Sequence, residues 1–297
     1  MTHGRILDLG NLTVLSLPEP SFQQSSSISL KRQLRPNDPT YIPCRVNSTR
    51  FAGGGVRTIF EAEFEDGEIW LCRAGDVDWQ CYSREFVRRA MESTISTMGY
   101  LSSHTSIPVP KVYAYESDID QSSIRVVYML IKPIDSGSND VGDDPNNEKA
   151  INSAVASIFN KPRQITFSRI GWLYETADGI QIGPFVDLNG TPHGPFDSAS
   201  TDYFQWRAES TLTQLRKQRL ADAPEAEILK TKFICWLLPE VAGHLGVDDN
   251  GPFPLMHPEM YGCQMLLNDT LDTVNAVIDW DETGRSRCKN SACILHL

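Results

Sequence analysis

The chain has 297 residues, enough for one large domain or two smaller ones around a substantial core. A hydrophobic content of 40% with 22% charged residues is ordinary for a globular protein. The net charge of −11 argues against general binding to nucleic acid or an anionic membrane, since both need a positive field, but it leaves room for a cationic small molecule. Seven cysteines without a Cys-x-x-Cys pair read as reduced thiols. No signal peptide is recognisable and no stretch approaches ~18 apolar residues, so a cytoplasmic location is expected.

Residues 1–40 are broken by Pro18, Pro20, the Ser25-Ser26-Ser27 run, Pro36 and Pro39, and read as a partly ordered extension. From Cys44 the character changes. Gly53-Gly54-Gly55 precede an apolar-rich run from Ile59 to Phe64, and an Asp66-Gly67 step separates it from a second run, Ile69 to Arg73. Such a step between two such runs predicts a β-hairpin. Three glycines before a hairpin free the backbone to approach a ligand, as in loops that cover phosphates, although a flexible turn has the same composition. The second run ends in a cation, Arg73.

Residues 83–101 have helical spacing, with Phe86, Val87, Ala90, Met91, Thr94, Ile95 and Met98 along one side and Gly99 suited to the end. Glu85 and Glu92 are acids on this helix. Pro108 and Pro110 enforce extended backbone. Residues 124–134 read as a buried strand, residues 135–148 as a polar loop and residues 149–159 as a short helix. Ala177-Asp178-Gly179 joins two apolar runs in another hairpin. Residues 202–220 and 225–245 are the longest helical candidates, with Pro224 fitting the first turn of the second. Phe233, Trp236, Leu237 and Val241 follow helical spacing there and are expected in the core.

The stretch 252–281 organises the rest. Met265-Leu266-Leu267 and the run from Val274 to Ile278 flank Asn268-Asp269-Thr270, which is hairpin chemistry. A polar loop from His257 to Gln264 leads in, and Asp279 and Asp281 follow. Acidic and amide side chains thus meet at one end of a small sheet, as a metal–phosphate site requires. By themselves Asp279 and Asp281 also fit a plain strand-end acidic pair, and His257 fits a metal ligand or base. Residues 282–297 show no helical pattern.

These residues carry a resemblance. His257-Pro258-Glu259-Met260, Gln264-Met265-Leu266-Leu267 and Val277-Ile278-Asp279-Trp280-Asp281 resemble the catalytic signature of the aminoglycoside phosphotransferase and choline-kinase-like family. The run of Phe64, Asp66-Gly67, Trp70 and Arg73, with Ile107-Pro108-Val109-Pro110, resembles the branch of it common in filamentous fungi. The resemblance implies an α+β, two-lobed protein-kinase-like fold. Residues 41–133 would form an N-lobe around a small antiparallel sheet, and residues 134–297 a mainly helical C-lobe with a shorter C-terminus than the family has.

The resemblance also implies ATP and Mg²⁺ as cofactors and transfer of phosphate to a hydroxyl of a small molecule. By position, Glu259 would orient or deprotonate the acceptor hydroxyl, Gln264 would hold Mg²⁺, and Asp279 would bridge Mg²⁺ to the phosphates, with Asp281 at a further acidic position beside the metal. Glu259 and Gln264 are each one carbon longer than the family's Asp and Asn, and a misplacement of ~1 Å can cost ~10²-fold in rate. Gly53, Gly54 and Gly55 would cover the phosphates and Arg73 would pair with them. Glu92, with Glu85 as its rival, would hold Arg73. Backbone groups near Leu130 to Lys132 would receive the adenine, and His257 would support the loop. Three readings follow: an active small-molecule phosphotransferase, a pseudokinase-like module that binds nucleotide or a partner without turnover, and a shortened inactive fragment. These residues specify neither the acceptor nor the oligomeric state.

Overall fold

The computed structural model describes residues 44–54, 57–64, 66–75, 82–122, 126–136, 145–217, 224–242, 244, 250–257, 260 and 264–280. Gly55, Glu259, Asp281 and the segments 1–40 and 282–297 lie outside these residues.

Strands β1 (Cys44–Gly54) and β3 (Ile69–Gly75) each pair antiparallel with β2 (Arg57–Phe64) between them. Together with β4 (Val112–Glu116) and β5 (Tyr128–Ile131) they make a five-stranded antiparallel sheet in the order β1-β2-β3-β5-β4. The Asp66-Gly67 hairpin is present: Gly67 takes a φ of 85° and donates its N–H to Phe64 O at 2.9 Å, a left-handed position that carries no Cβ penalty for glycine. Side-chain alternation then sorts the strands. Trp70, Cys72 and Ala74 of β3 join Ala62, Phe64, Tyr128 and Leu130 in one cluster, while Met129 and Ile131 belong to the main core on the other face. Arg73, between Cys72 and Ala74, therefore projects to the main-core side.

Helix α1 (Arg84–His104) links β3 to β4. Ser83 caps it, its Oγ accepting the Phe86 N–H at 3.1 Å. The helix runs through Gly99, the expected end, and stops at Thr105, whose N–H and hydroxyl both donate to Leu101 O, at 3.1 and 2.7 Å. Burial of Met98 and Leu101 on either side outweighs the ~1 kcal/mol that glycine costs in a helix interior. Among the described residues, the strand expected over 124–134 covers the four residues of β5. Lys132 makes a last bond, donating its N–H to Lys111 O at 2.9 Å, and Pro133 has no N–H with which to continue.

The second part of the chain contains helices α2 (Pro145–Phe159), α3 (Gln205–Lys217) and α4 (Glu225–Ala242), with a π-helical turn, Ala199–Phe204, before α3. Helix α2 begins at Pro145 rather than residue 149, because proline suits a first helical position. Among the described residues four two-stranded ladders accompany these helices. They pair β6 (Thr166–Phe167) with β11 (Phe253–Pro254), and β7 (Trp172–Thr176) with β8 (Gly179–Gly183). The other two pair β9 (Phe185–Val186) with β10 (Pro192–His193), and β12 (Met265–Leu267) with β13 (Val274–Val277). The chain is α+β, with helix predominating in this part.

One expectation about α4 is corrected. Phe233 and Trp236 are 56% and 65% exposed, with Leu229 beside them at 58%, rather than in the core. Helix α4 is apolar on more than one side, so packing against α3 and the π turn covers one face and leaves another open. The main core itself is continuous. It runs from Phe86, Val87 and Met91 of α1 and Met129 of β5, through Trp172 and Phe185, to Met265, Val277 and Trp280. This packing brings the β12–β13 hairpin to the face of the sheet that carries Arg73.

Candidate functional site

The end of β13 is shaped by its neighbours. Trp280 is buried and donates its indole N–H to Val277 O at 3.1 Å. His257, also buried, bonds Ile278 O through Nε2 at 2.8 Å and meets the Trp280 ring edge-on, with centroids 4.5 Å apart. A carbonyl only accepts, so Nε2 carries the proton. The Ile278 N–H in turn donates to Gln264 O at 2.9 Å. Held on both sides, the backbone passes through Asp279 with a φ of 61°, a left-handed conformation that aspartate tolerates better than most residues. His257 thus supports the backbone that leads into Asp279.

The Asp279 carboxylate pairs with Arg73, which donates from Nη2 to Oδ1. Arg73 stands in a row across the sheet formed by Ala52, Ile59, Arg73 and Met129. Gly53 and Gly54 end β1 in the next rows, at the level of Arg73 and about 10 Å from it across two strand spacings. The described glycines therefore lie at the same end of the sheet as the ion pair.

Glu92 does not take the expected place. Its carboxylate accepts from Arg88 at 3.3 Å, Arg89 at 3.1 Å and the Ser117 hydroxyl at 3.5 Å, all away from Arg73. Glu85 is bonded by the same two arginines, at 2.7 and 2.9 Å. Burial opposes its ionisation, yet the hydrogen bonds and charges of Arg88 and Arg89 outweigh burial and hold its carboxyl below the ordinary range. Arg89 also lies over the Tyr174 ring at 5.5 Å, which ties α1 to the β7–β8 hairpin. The signal was in the sequence: Arg88 and Arg89 stand three and four residues from both acids, the spacing at which helix side chains meet.

Of the residues expected near an adenine, Leu130 and Lys132 have backbone groups engaged at the sheet. Leu130 is fully buried and lies between β3 and β4, facing Cys72 and Ala114, so its backbone is enclosed in the sheet. The Lys132 N–H is used by Lys111 O. The first backbone beyond the ladder is the 133–136 segment.

For a cation, the residues present offer Asp279 and, on the adjacent loop, the amide of Gln264. Among the described residues no group of three His, Cys, Asp or Glu side chains converges. Carboxylate and amide oxygens are hard donors that Mg²⁺ accepts, so these two residues fit that ion by donor type. Glu259 and Asp281 lie outside the described residues.

No protein-family model matches the chain, and no curated protein matches it. Solved structures do. A candidate aminoglycoside phosphotransferase from Ralstonia eutropha is 18% identical, the similarity covering 82% of this chain and 60% of that one, with a TM-score of 0.49. A candidate fructosamine-3-kinase from Thermobifida fusca is 17% identical over 80% of this chain and 68% of that one, with a TM-score of 0.45. A thermostable aminoglycoside phosphotransferase in ternary complex with AMP-PNP and hygromycin B is 14% identical over 81% of this chain and 67% of that one, with a TM-score of 0.46. The chain spans less than two thirds of the length of the first of these.

Proposed function

We propose that the chain binds a magnesium–nucleotide complex at the Arg73–Asp279 cleft and transfers the terminal phosphate of ATP to a hydroxyl of a small molecule. The observation that carries this reading is the meeting of a cation from the middle strand of the sheet with the acid that follows β13. A phosphate chain needs the first charge and its metal needs the second.

When bound, Mg²⁺ would neutralise charge on the phosphates and polarise the one transferred. Arg73 would hold phosphate oxygens with its planar fork, a bidentate grip that lysine lacks. Asp279 and the Gln264 amide would hold the metal. Gly53, Gly54 and Gly55 would let backbone N–H groups approach the phosphates. Glu259 would orient the acceptor hydroxyl, and Asp281 would add negative charge beside the metal. The acceptor would be a small molecule, and the net charge of −11 suits a cationic one. Calorimetric titration with ATP, with and without Mg²⁺, followed by ATP turnover over a panel of hydroxyl acceptors, tests the reading. Binding that requires Mg²⁺ is expected, and no binding in its presence would overturn it.

A second reading, nucleotide binding without turnover, is favoured by the capture of Glu92 by Arg88 and Arg89. Arg73 then leans on Asp279 instead of on an acid of α1. Magnesium-dependent binding with no turnover on any acceptor would select this reading.

A further inference from the structure

Strand β13 does not pair with β12 in simple register. Met265 faces Val277 and Leu266 faces Ala276, but Leu267 faces Val274. One step along β12 thus matches two along β13, and Asn275 is the extra residue of a β-bulge. A bulged residue sits outside the ladder, and the local twist re-aims its side chain. Asn275 uses this freedom to donate from Nδ2 to the backbone O of Asp135 at 2.7 Å, across 140 residues of sequence. Asp135 belongs to the segment by which the chain leaves the sheet after β5.

Val277 at the end of β13 and Ile278 just after it make parallel attachments. Val277 N–H donates to Pro108 O at 2.8 Å, holding the extended proline segment before β4, and Ile278 N–H donates to Gln264 O at 2.9 Å. Within four residues the strand grips both segments flanking the β4–β5 edge of the sheet and the loop before β12, and then it presents Asp279. The Asn275 bond is the one made by a side chain, so substitution can remove it without disturbing a ladder.

We propose that Asn275 is a positioning residue that fixes the 133–136 segment against the strand that leads to Asp279, and so sets the separation between the base-binding and phosphate-binding ends of the site. This rests on the nucleotide reading above. The Lys132 N–H is already used and Pro133 has none, so the first backbone N–H beyond the ladder that could meet a purine is that of Ile134. A nucleotide that spans from there to Arg73 and Asp279 gains from both ends only when their separation is set beforehand. A surface hydrogen bond with no such role would affect thermal stability and nothing base-dependent.

The test uses Asn275→Asp, which keeps the size and removes the donor, and Asn275→Ala, which removes the donor without adding charge. Two probes are titrated with Mg²⁺ in excess: ADP, and inorganic tripolyphosphate, which has no base. Both variants should lose about three- to tenfold in ADP affinity, the range of one net hydrogen bond, while tripolyphosphate affinity stays at the parent value. Equal losses on both probes, or no loss on either, would overturn the proposal. If the parent chain binds neither probe, the nucleotide reading fails, and the tether is read in the ligand-free protein. There the Lys132 amide should exchange its hydrogen several-fold faster in both variants. Unchanged exchange would refute the tether itself.

Discussion

Arg73 and Asp279 stand 206 residues apart and form one ion pair in which the Arg73 side chain is 11% exposed and that of Asp279 36%. The cation is the more deeply buried partner. Removing the acid takes a partner from the charge farther from water, whereas removing the cation leaves a charge that solvent reaches. Asp279→Ala should therefore destabilise the fold by about 1–3 kcal/mol, and Arg73→Met by less. Urea denaturation of the two variants measures the difference. A larger loss for Arg73→Met would show that Asp279 is the dependent charge.

The same pair places Arg73 in competition with a metal ion. Arg73→Ala should tighten binding of Mg²⁺ alone, because Asp279 is released, while weakening ATP about ten- to a hundredfold through the lost charge-assisted contacts to phosphate. Calorimetry with each ligand separately reads both changes. Affinities that fall together would mean that Arg73 serves only to hold Asp279 in place.

The longer side chains of the loop predict a gain of function. Glu259→Asp should raise phosphotransfer while leaving ATP affinity nearly unchanged, because alignment of the acceptor hydroxyl matters mainly in the transition state. Gln264→Asn should also tighten metal–nucleotide binding. If the loop moves as a unit, the double variant should exceed the product of the singles, as measured by initial rates over the acceptor panel.

His257 carries a prediction about stability. His257→Ala leaves the Ile278 carbonyl without its donor and opens space against Trp280, costing about 2–3 kcal/mol in chemical denaturation. His257→Gln retains an N–H donor and should recover part of that loss. An alanine variant as stable as the parent would remove the histidine from the support of Asp279.

Acid sensitivity should trace in part to Asp187. Burial opposes its ionisation, but the backbone N–H of Thr191, the His193 side chain and the backbone N–H of Asn189 outweigh burial and lower its pKa from the ordinary 3.8. A carboxyl depressed in the folded state stabilises above the unfolded value, and this stabilisation is lost as pH falls through the folded one. The parent and Asp187→Asn should therefore differ most in thermal midpoint at neutral pH and converge below 3.8. A gap that stays constant with pH would assign the effect to turn geometry alone.

The hairpins at Asp66-Gly67, Asp178-Gly179 and Asn268 to Thr270 were legible in the sequence, because turn chemistry and strand alternation are local. So was the start of α1 near residue 83, where the apolar stripe begins. The end of that helix was not, since the packing of Met98 and Leu101 overrides what Gly99 prefers by itself. The exposure of Phe233 and Trp236 was hidden for a related reason: periodicity shows that a helix has an apolar side and does not say which neighbour covers it. The bulge at Asn275 was equally hidden, because register exists only once two strands pair.

Arg73 shows the division most plainly. The sequence alone marked it as a cation at a strand end and marked Asp279 as an acid after a hairpin. Which acid it meets was decided by tertiary structure. Glu92 is nearer along the chain, but Arg88 and Arg89 reach it at helical spacing, a pairing that orders little beyond the side chains themselves. Asp279 crosses 206 residues to reach Arg73, and loop closure over that length costs only a few kcal/mol. Burial of Met129, Val277 and Trp280 in a common core can offset that cost, and no local pattern in the sequence records such a contact.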